Sequence, residues 1–170
     1  MESYLNGTGL PNCQYESHVV HFDSTTSDSG GATNDFTVRI RTPLKDIVTA
    51  QLISASVASG GSDVVGYLII DELMSGFNTK AGNTSGNVIS SDQVTAPFAK
   101  ILLDTTGRTS YKAGDYPVFT EFIRPIERLS RMRVRLMNQD GTGLLTLSGG
   151  QPTFFTIRFV CMRQNLCRVL

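Results

Sequence analysis

LSRMRVRLMNQDG, residues 129–141, decides how the rest of the chain is read. Met132, Val134 and Leu136 alternate with Arg131, Arg133 and Arg135, and Asn138, Asp140 and Gly141 close the run. Successive side chains on a strand point to opposite faces, so this spacing predicts a strand with an apolar inner row and a cationic outer row. Asp-Gly marks the turn, because glycine tolerates the positive φ that a β-carbon resists. An arginine row on the outer face is offered either to solvent or to a partner.

The same alternation recurs on both sides of this stretch. Phe36, Val38 and Ile40 alternate with Thr37, Arg39 and Arg41, and Pro43, which cannot donate to a ladder, predicts the end of that strand. Ile47–Val57 is rich in β-branched residues and stops at Ser59-Gly60-Gly61. Val64–Leu73 has a continuous apolar centre, the pattern of a strand buried on both faces. Pro97–Asp104 and Val118–Arg124 follow, the latter ended by Pro125, with Ile126–Leu129 as a connector. In Phe154–Met162, Phe155, Ile157, Phe159 and Cys161 fall on one face, with Thr156, Arg158, Val160 and Met162 on the other.

Shorter strands are expected at Ser17–Phe22 and Leu144–Leu147, and an edge strand near Val88–Ile89. Three polar, glycine-rich stretches, Asp23–Asp35, Met74–Ala96 and Thr105–Tyr116, are expected to be loops. No amphipathic helix and no fixed repeat is visible. Eight main strands broken by regular turn signals predict an all-β sandwich or barrel, and eight in two antiparallel sheets is the number of a single jelly roll. The expected organisation is an N-terminal arm and flexible loop over 1–34, with one short extra strand, then the β domain over 35–163 and a tail over 164–170.

With 170 residues the chain can bury a real core without disulfides or metals. Its Lys and Arg balance its Asp and Glu at zero net charge, so no global field recruits nucleic acid or membrane, and no long-range repulsion opposes self-association. No apolar run is long enough to span a bilayer. The opening MESYLNGTGLPNC lacks the apolar core of a secretory leader, which leaves the sequons at Asn6 and Asn83 as chance matches. Three irregularly spaced cysteines make no disulfide framework and suggest a reducing compartment.

Each residue cluster that could suggest catalysis or metal binding has a plainer role beside it. His18 and His21, with Cys13 nearby, invite a metal; but residues three apart on a strand face opposite ways, and no Cys-x-x-Cys pair completes a site. Cys161 is expected to be a small buried hydrophobe, and nothing local activates Cys13 or Cys167 as nucleophiles. The carboxylates Asp71 and Glu72, adjacent on a strand, would diverge, and Asp104 and Asp115 merely flank a loop. The glycine-rich turns lack the lysine of a phosphate loop. No enzyme, cofactor or metal is expected. What remains is the set Arg39, Arg41, Arg131, Arg133, Arg135 and Arg158, which is either a solvated outer face or a subunit interface, where arginine's planar fork is favoured. A nucleic-acid face would need interleaved aromatics that are scarce here.

FTVRIRTPLKDIVTAQLISASV, VVGYLIIDEL, PFAKILLD and FIRPIERLSRMRVRLMNQDGTGLL, spanning roughly Asp35 to Arg163, resemble the single jelly-roll vertex (penton) capsid proteins of large icosahedral DNA viruses of the nucleocytoplasmic type. The resemblance lies in the order of elements: a strand ending in proline, a following strand pair, and a late strand closing on Asp-Gly. It implies a structural protein of the virion, assembled in the host cytoplasm, with five copies around an icosahedral fivefold axis. Its implied partners are copies of itself, the major capsid protein and minor capsid proteins, with no direct nucleic-acid role and no membrane span. The rival expectation is a carbohydrate-binding or other jelly-roll interaction module, with Phe77, Tyr111 and Tyr116 as exposed stacking platforms.

Overall fold

Two strands, each far longer than the strands expected from the sequence, shape the molecule. The structure is a computed structural model and describes residues 15–28, 32–74, 84–85, 88–89, 96–104 and 107–163. Its strands are β1 (Tyr15–Asp23), β2 (Asp35–Ala58), β3 (Val65–Ile70), β4 (Thr84–Ser85), β5 (Val88–Ile89), β6 (Ala99–Leu102), β7 (Arg108–Lys112), β8 (Val118–Met137) and β9 (Phe154–Met162). Among the described residues there is no α-helix, only two 3₁₀ turns at Ser24–Thr26 and Asp71–Leu73. Seven strands form one antiparallel sheet in the order β1-β9-β2-β8-β3-β6, with β7 also pairing β2; β4 and β5 form a separate short hairpin.

The prolines expected to end strands do not end them. β2 runs through Pro43 and β8 through Pro125. Their shared ladder breaks register twice, and the two breaks compensate. β2 spends Ile40 to Pro43 where β8 spends only Ser130, and β8 spends Phe122 to Pro125 where β2 spends only Val48. Each proline sits in the unpaired insert of its strand, where its missing N–H costs no ladder bond. Asp46, between the breaks, takes a φ of 51°, a left-handed conformation that an aspartate tolerates better than a branched residue.

These bends curl the sheet into two halves. In the first, β1, β9, residues 47–58 of β2 and the start of β8 lie side by side. In the second, residues 35–45 of β2, the end of β8, β3 and β6 do. Phe22, Leu52, Phe155, Ile157 and Phe159 from the first half share one buried cluster with Phe36, Met132, Leu136, Leu68 and Ile101 from the second. Phe22 stacks on Phe155 with ring centroids 5.6 Å apart. Burial of this row removes large apolar area from water, the main favourable term in the fold.

The inner and outer faces expected for β8 and β9 are the observed ones. Met132, Val134 and Leu136 are fully buried, as are Ile157 and Phe159, while Arg131, Arg133 and Arg158 are exposed. β3 is buried on both faces: Leu68 and Ile70 join the main core, and Ile69 packs with Met137 on the opposite side. Gly141 has a φ of 75° and donates its N–H to the Asn138 carbonyl at 3.0 Å, the turn its Asp-Gly pair requires.

Several boundaries differ from expectation. β1 is a nine-residue strand paired along its whole length with β9, so 15–23 belongs to the sheet. β3 stops at Ile70, and Asp71–Leu73 turn away as 3₁₀. The expected loop Thr105–Tyr116 contains β7, whose polar alternation hides a strand on the flank of β2. Leu144–Leu147 makes only isolated bridges, Leu144 to Met137 and Leu147 to Ser59.

Candidate interaction surfaces

The arginine row sits where β2 and β8 run side by side, on the outer face of the second half. Register places Asp35 opposite Arg135, Thr37 opposite Arg133, and Arg39 opposite Arg131. Arg133 grips Asp35 with two bonds, Nε to Oδ1 at 3.2 Å and Nη2 to Oδ2 at 3.0 Å. The carboxylate holds the guanidinium in its charged form, raising its already high pKa. Arg39 pairs with Asp28 at 2.8 Å, and Arg135 donates to Asp71. Among the described residues Arg131 has no ion pair, and it faces Arg39 directly, a like-charge arrangement that disfavours the ladder.

Asp71 and Glu72 are not divergent strand residues, as their adjacency suggested, because the strand has already ended. Both turn onto β8: Asp71 takes Arg135, and Glu72 Oε2 accepts the backbone N–H of Arg133 at 2.8 Å. Glu72 thereby supplies the acceptor that β3 would have supplied had it continued. Asp35, Phe36, Thr37, Asp71, Glu72, Arg131 and Arg133 line an open polar bowl of about 520 Å³. Its carboxylates are engaged: Asp35 and Asp71 with arginine, and Glu72 with the Arg133 backbone N–H.

Of the six arginines singled out from the sequence, four converge here: Arg39, Arg131, Arg133 and Arg135. Arg41 lies in the insert of β2, and Arg158 lies on the other half of the sheet. Arg158 is the centre of a second surface. Val19, Arg158, Gln51 and Phe119 stand abreast across β1, β9, β2 and β8. Val19 and Phe119 are 48% and 47% exposed, while Gln51 between Arg158 and Phe119 is buried at 7%. Phe154 and Met162 are also exposed on β9. Arg108 lies over the Phe154 ring, 5.6 Å from its centroid, and bonds Ser56, Gln151 and the Pro152 carbonyl.

This apolar face was missed in the sequence. Its signal is in VFTEFIR, where Phe119 and Ile123 occupy the same alternate positions as Glu121 and hence the outer row. Two large apolar residues in the outer row of β8 are unexplained by the core.

The other candidates resolve into local roles. His18 bonds Glu16 at 3.0 Å beside the inner row, and His21 bonds Thr156 at 3.1 Å on the outer row, so the two do diverge. Glu16 also takes Arg163, and the His18 and Arg163 bonds lower its pKa. Among the described residues no three His, Cys, Asp or Glu side chains gather to hold a metal. Cys161 is buried, and burial pushes its thiol up to about 11. Cys13, Cys167 and Phe77 lie outside the described residues.

Tyr111 and Tyr116 are not exposed platforms. Tyr111 is buried and donates its hydroxyl to the Tyr116 carbonyl at 2.6 Å. The Tyr116 hydroxyl bonds the Lys100 carbonyl at 2.9 Å and receives the Leu102 N–H at 3.4 Å. Their rings pack 4.9 Å apart, and desolvation raises both pKa values. They clasp β6 to the segment before β8, with Tyr111 buried and Tyr116 only partly exposed.

No protein-family model matches the chain, and no curated protein shows significant similarity to it.

Proposed function

We propose that this chain is a single jelly-roll capsid protein that forms the pentameric vertex of an icosahedral double-stranded DNA virus. The pairing pattern supports the fold part of this reading. Counted at their bends, β2 and β8 each supply two segments, and with β7 set aside as an addition on the flank of β2 the sheet holds eight: first with eighth (β1·β9), second with seventh and third with sixth (both β2·β8), fourth with fifth (β3·β6). A jelly roll is what results when four such nested antiparallel pairs are wound around one core.

The observation that carries the functional part is the set of large apolar side chains exposed on the outer face of the first half. A sheet face that meets only water is expected to alternate to polar side chains, yet Val19, Phe119, Phe154 and Met162 are exposed around Arg158. Apolar and aromatic side chains around an arginine are the composition of a protein interface. The neutral chain puts no long-range charge repulsion between copies.

Light scattering of the purified chain should give a pentamer, or a monomer that forms pentamers only within a shell; a stable trimer would overturn the reading. Val19→Glu combined with Phe119→Glu should leave thermal stability within about 1 kcal/mol of the parent, since both sites are half exposed, and abolish assembly. Electron cryo-microscopy of assembled particles should place this chain at the fivefold vertex.

A further inference from the structure

Overall neutrality hides a local concentration of positive charge at the bend of the sheet. Arg39, Arg41 and Lys45 on β2 and Arg124, Arg128 and Arg131 on β8 are all exposed within the paired stretch and its two inserts. Lys45 stands directly opposite Arg128, and Arg39 directly opposite Arg131. Two like-charge cross-strand pairs in one ribbon work against the fold, which is the mark of residues kept for something outside it. Arg39 has Asp28 as a partner; among the described residues Arg41, Lys45, Arg124, Arg128 and Arg131 have no ion pair. Glu121, Asp46 and Glu127 are the acidic residues of the same stretch, too few to balance the cations.

At one end of this charged stretch is Ile123, 84% exposed, the most exposed large apolar residue of those described. It stands in the insert Phe122–Pro125, beside Arg124, where the chain leaves the ladder. A phosphate-bearing polymer would satisfy the arginines and leave the isoleucine in water. Base stacking would need an exposed ring among the cations; Phe122 is only partly exposed and packs against the core, and the exposed Phe119 lies beyond Glu121 on the first half of the sheet. An exposed aliphatic side chain beside Arg124 and next along the ribbon from Lys45 and Arg128 fits a surface that is anionic at its head groups and apolar just beneath them.

We propose that the bend of β2 and β8 is a docking surface for an anionic lipid bilayer. Lys45, Arg124 and Arg128 contact lipid phosphates, and Ile123 enters the boundary of the acyl region. The inference rests on this corner alone and holds for the monomer, so it stands or falls separately from assembly at a vertex.

The test is flotation of the purified chain with phosphatidylserine–phosphatidylcholine vesicles, with pure phosphatidylcholine vesicles and duplex DNA as comparisons. The chain should float with the anionic vesicles at low salt, stay behind with the neutral ones, and be released as salt screens the head groups. Arg124→Glu with Arg128→Glu should weaken vesicle binding by more than about tenfold, since each basic residue near the surface contributes on the order of 1 kcal/mol. Ile123→Ser should weaken it several-fold while leaving any DNA binding unchanged. All three sites are exposed, and unaltered thermal unfolding of both variants would show that the fold is intact. Equal binding to neutral vesicles, no binding to anionic ones, or DNA binding at lower concentration that Ile123→Ser does not affect would overturn the proposal.

Discussion

Cys161 and Arg133 stand on strands that flank β2 on its two sides, and each takes its character from the face it occupies. Cys161 falls on the inner row of β9 with Phe155, Ile157 and Phe159, and at 2% exposure it behaves as a small hydrophobe. Its thiol is pushed up from its ordinary value to about 11, chiefly by desolvation. The folded chain therefore keeps the proton that the unfolded chain loses. The stability this gives is complete below the unfolded thiol's pKa and is lost as pH rises toward 11. Peptide mapping after alkylation at pH 8 should find Cys161 unmodified in the native protein and modified in denaturant. Native labelling at a rate near that of a free thiol would contradict this burial. That inward placement was legible from alternation alone. The partners of the arginines were not, because Asp28, Asp35 and Asp71 reach them across the sheet or from a turn, and no spacing along the chain encodes those encounters.

At the scale of elements, the turns carry as much information as the strands. Gly60 leaves β2 against the 144–148 segment: its N–H bonds the Thr146 carbonyl at 3.0 Å, and the Ser148 N–H returns to the Ala58 carbonyl at 2.9 Å. A β-carbon on Gly60 would meet Ser148 N at 2.8 Å and the Leu147 carbonyl carbon and oxygen at 2.9 Å, all backbone atoms with no rotamer to yield. Gly60→Ala should therefore destabilise by about 1–3 kcal/mol, read as a lower denaturant midpoint at unchanged m-value. Gly61→Ala, whose nearest contact would be 3.6 Å, should cost much less and serves as its control. The glycine pair was visible as a turn, but which glycine is indispensable depends on a segment almost ninety residues away. The same applies to Pro43 and Pro125. Each was expected to end a strand, since a proline removes a donor, and each lies where the partner strand has no residue to offer.

For the molecule as a whole, the arrangement separates what stabilises the fold from what is left on its outside. Arg133 forms its bonds to Asp35 with 51% of its side chain exposed, and surface pairs of this kind contribute roughly 0–1 kcal/mol. Arg133→Glu should thus leave the monomer folded, with a loss of no more than about 1–2 kcal/mol once repulsion from Asp35 is added. If the row meets a neighbouring subunit, the same variant should impair assembly in light scattering. Unfolding of the monomer would mean that the row supports the core, and unchanged assembly would return it to solvent. The comparison with Val19→Glu and Phe119→Glu then tells which of the two outer faces the subunits use.

By itself the sequence determined that the chain is β-rich, which residues point inward on β8, β9 and the start of β2, and where glycine must turn the backbone. These follow from a period of two and from local backbone sterics, both of which act over a few residues. Only the tertiary structure decided that four expected segments are two continuous strands, that the sheet curls at their paired inserts, and that Phe119, Ile123 and Val19 stay outside. A bulge has meaning only against its partner strand, and exposure depends on what packs from elsewhere in the chain. Those are properties of pairs distant in sequence, which local pattern does not contain.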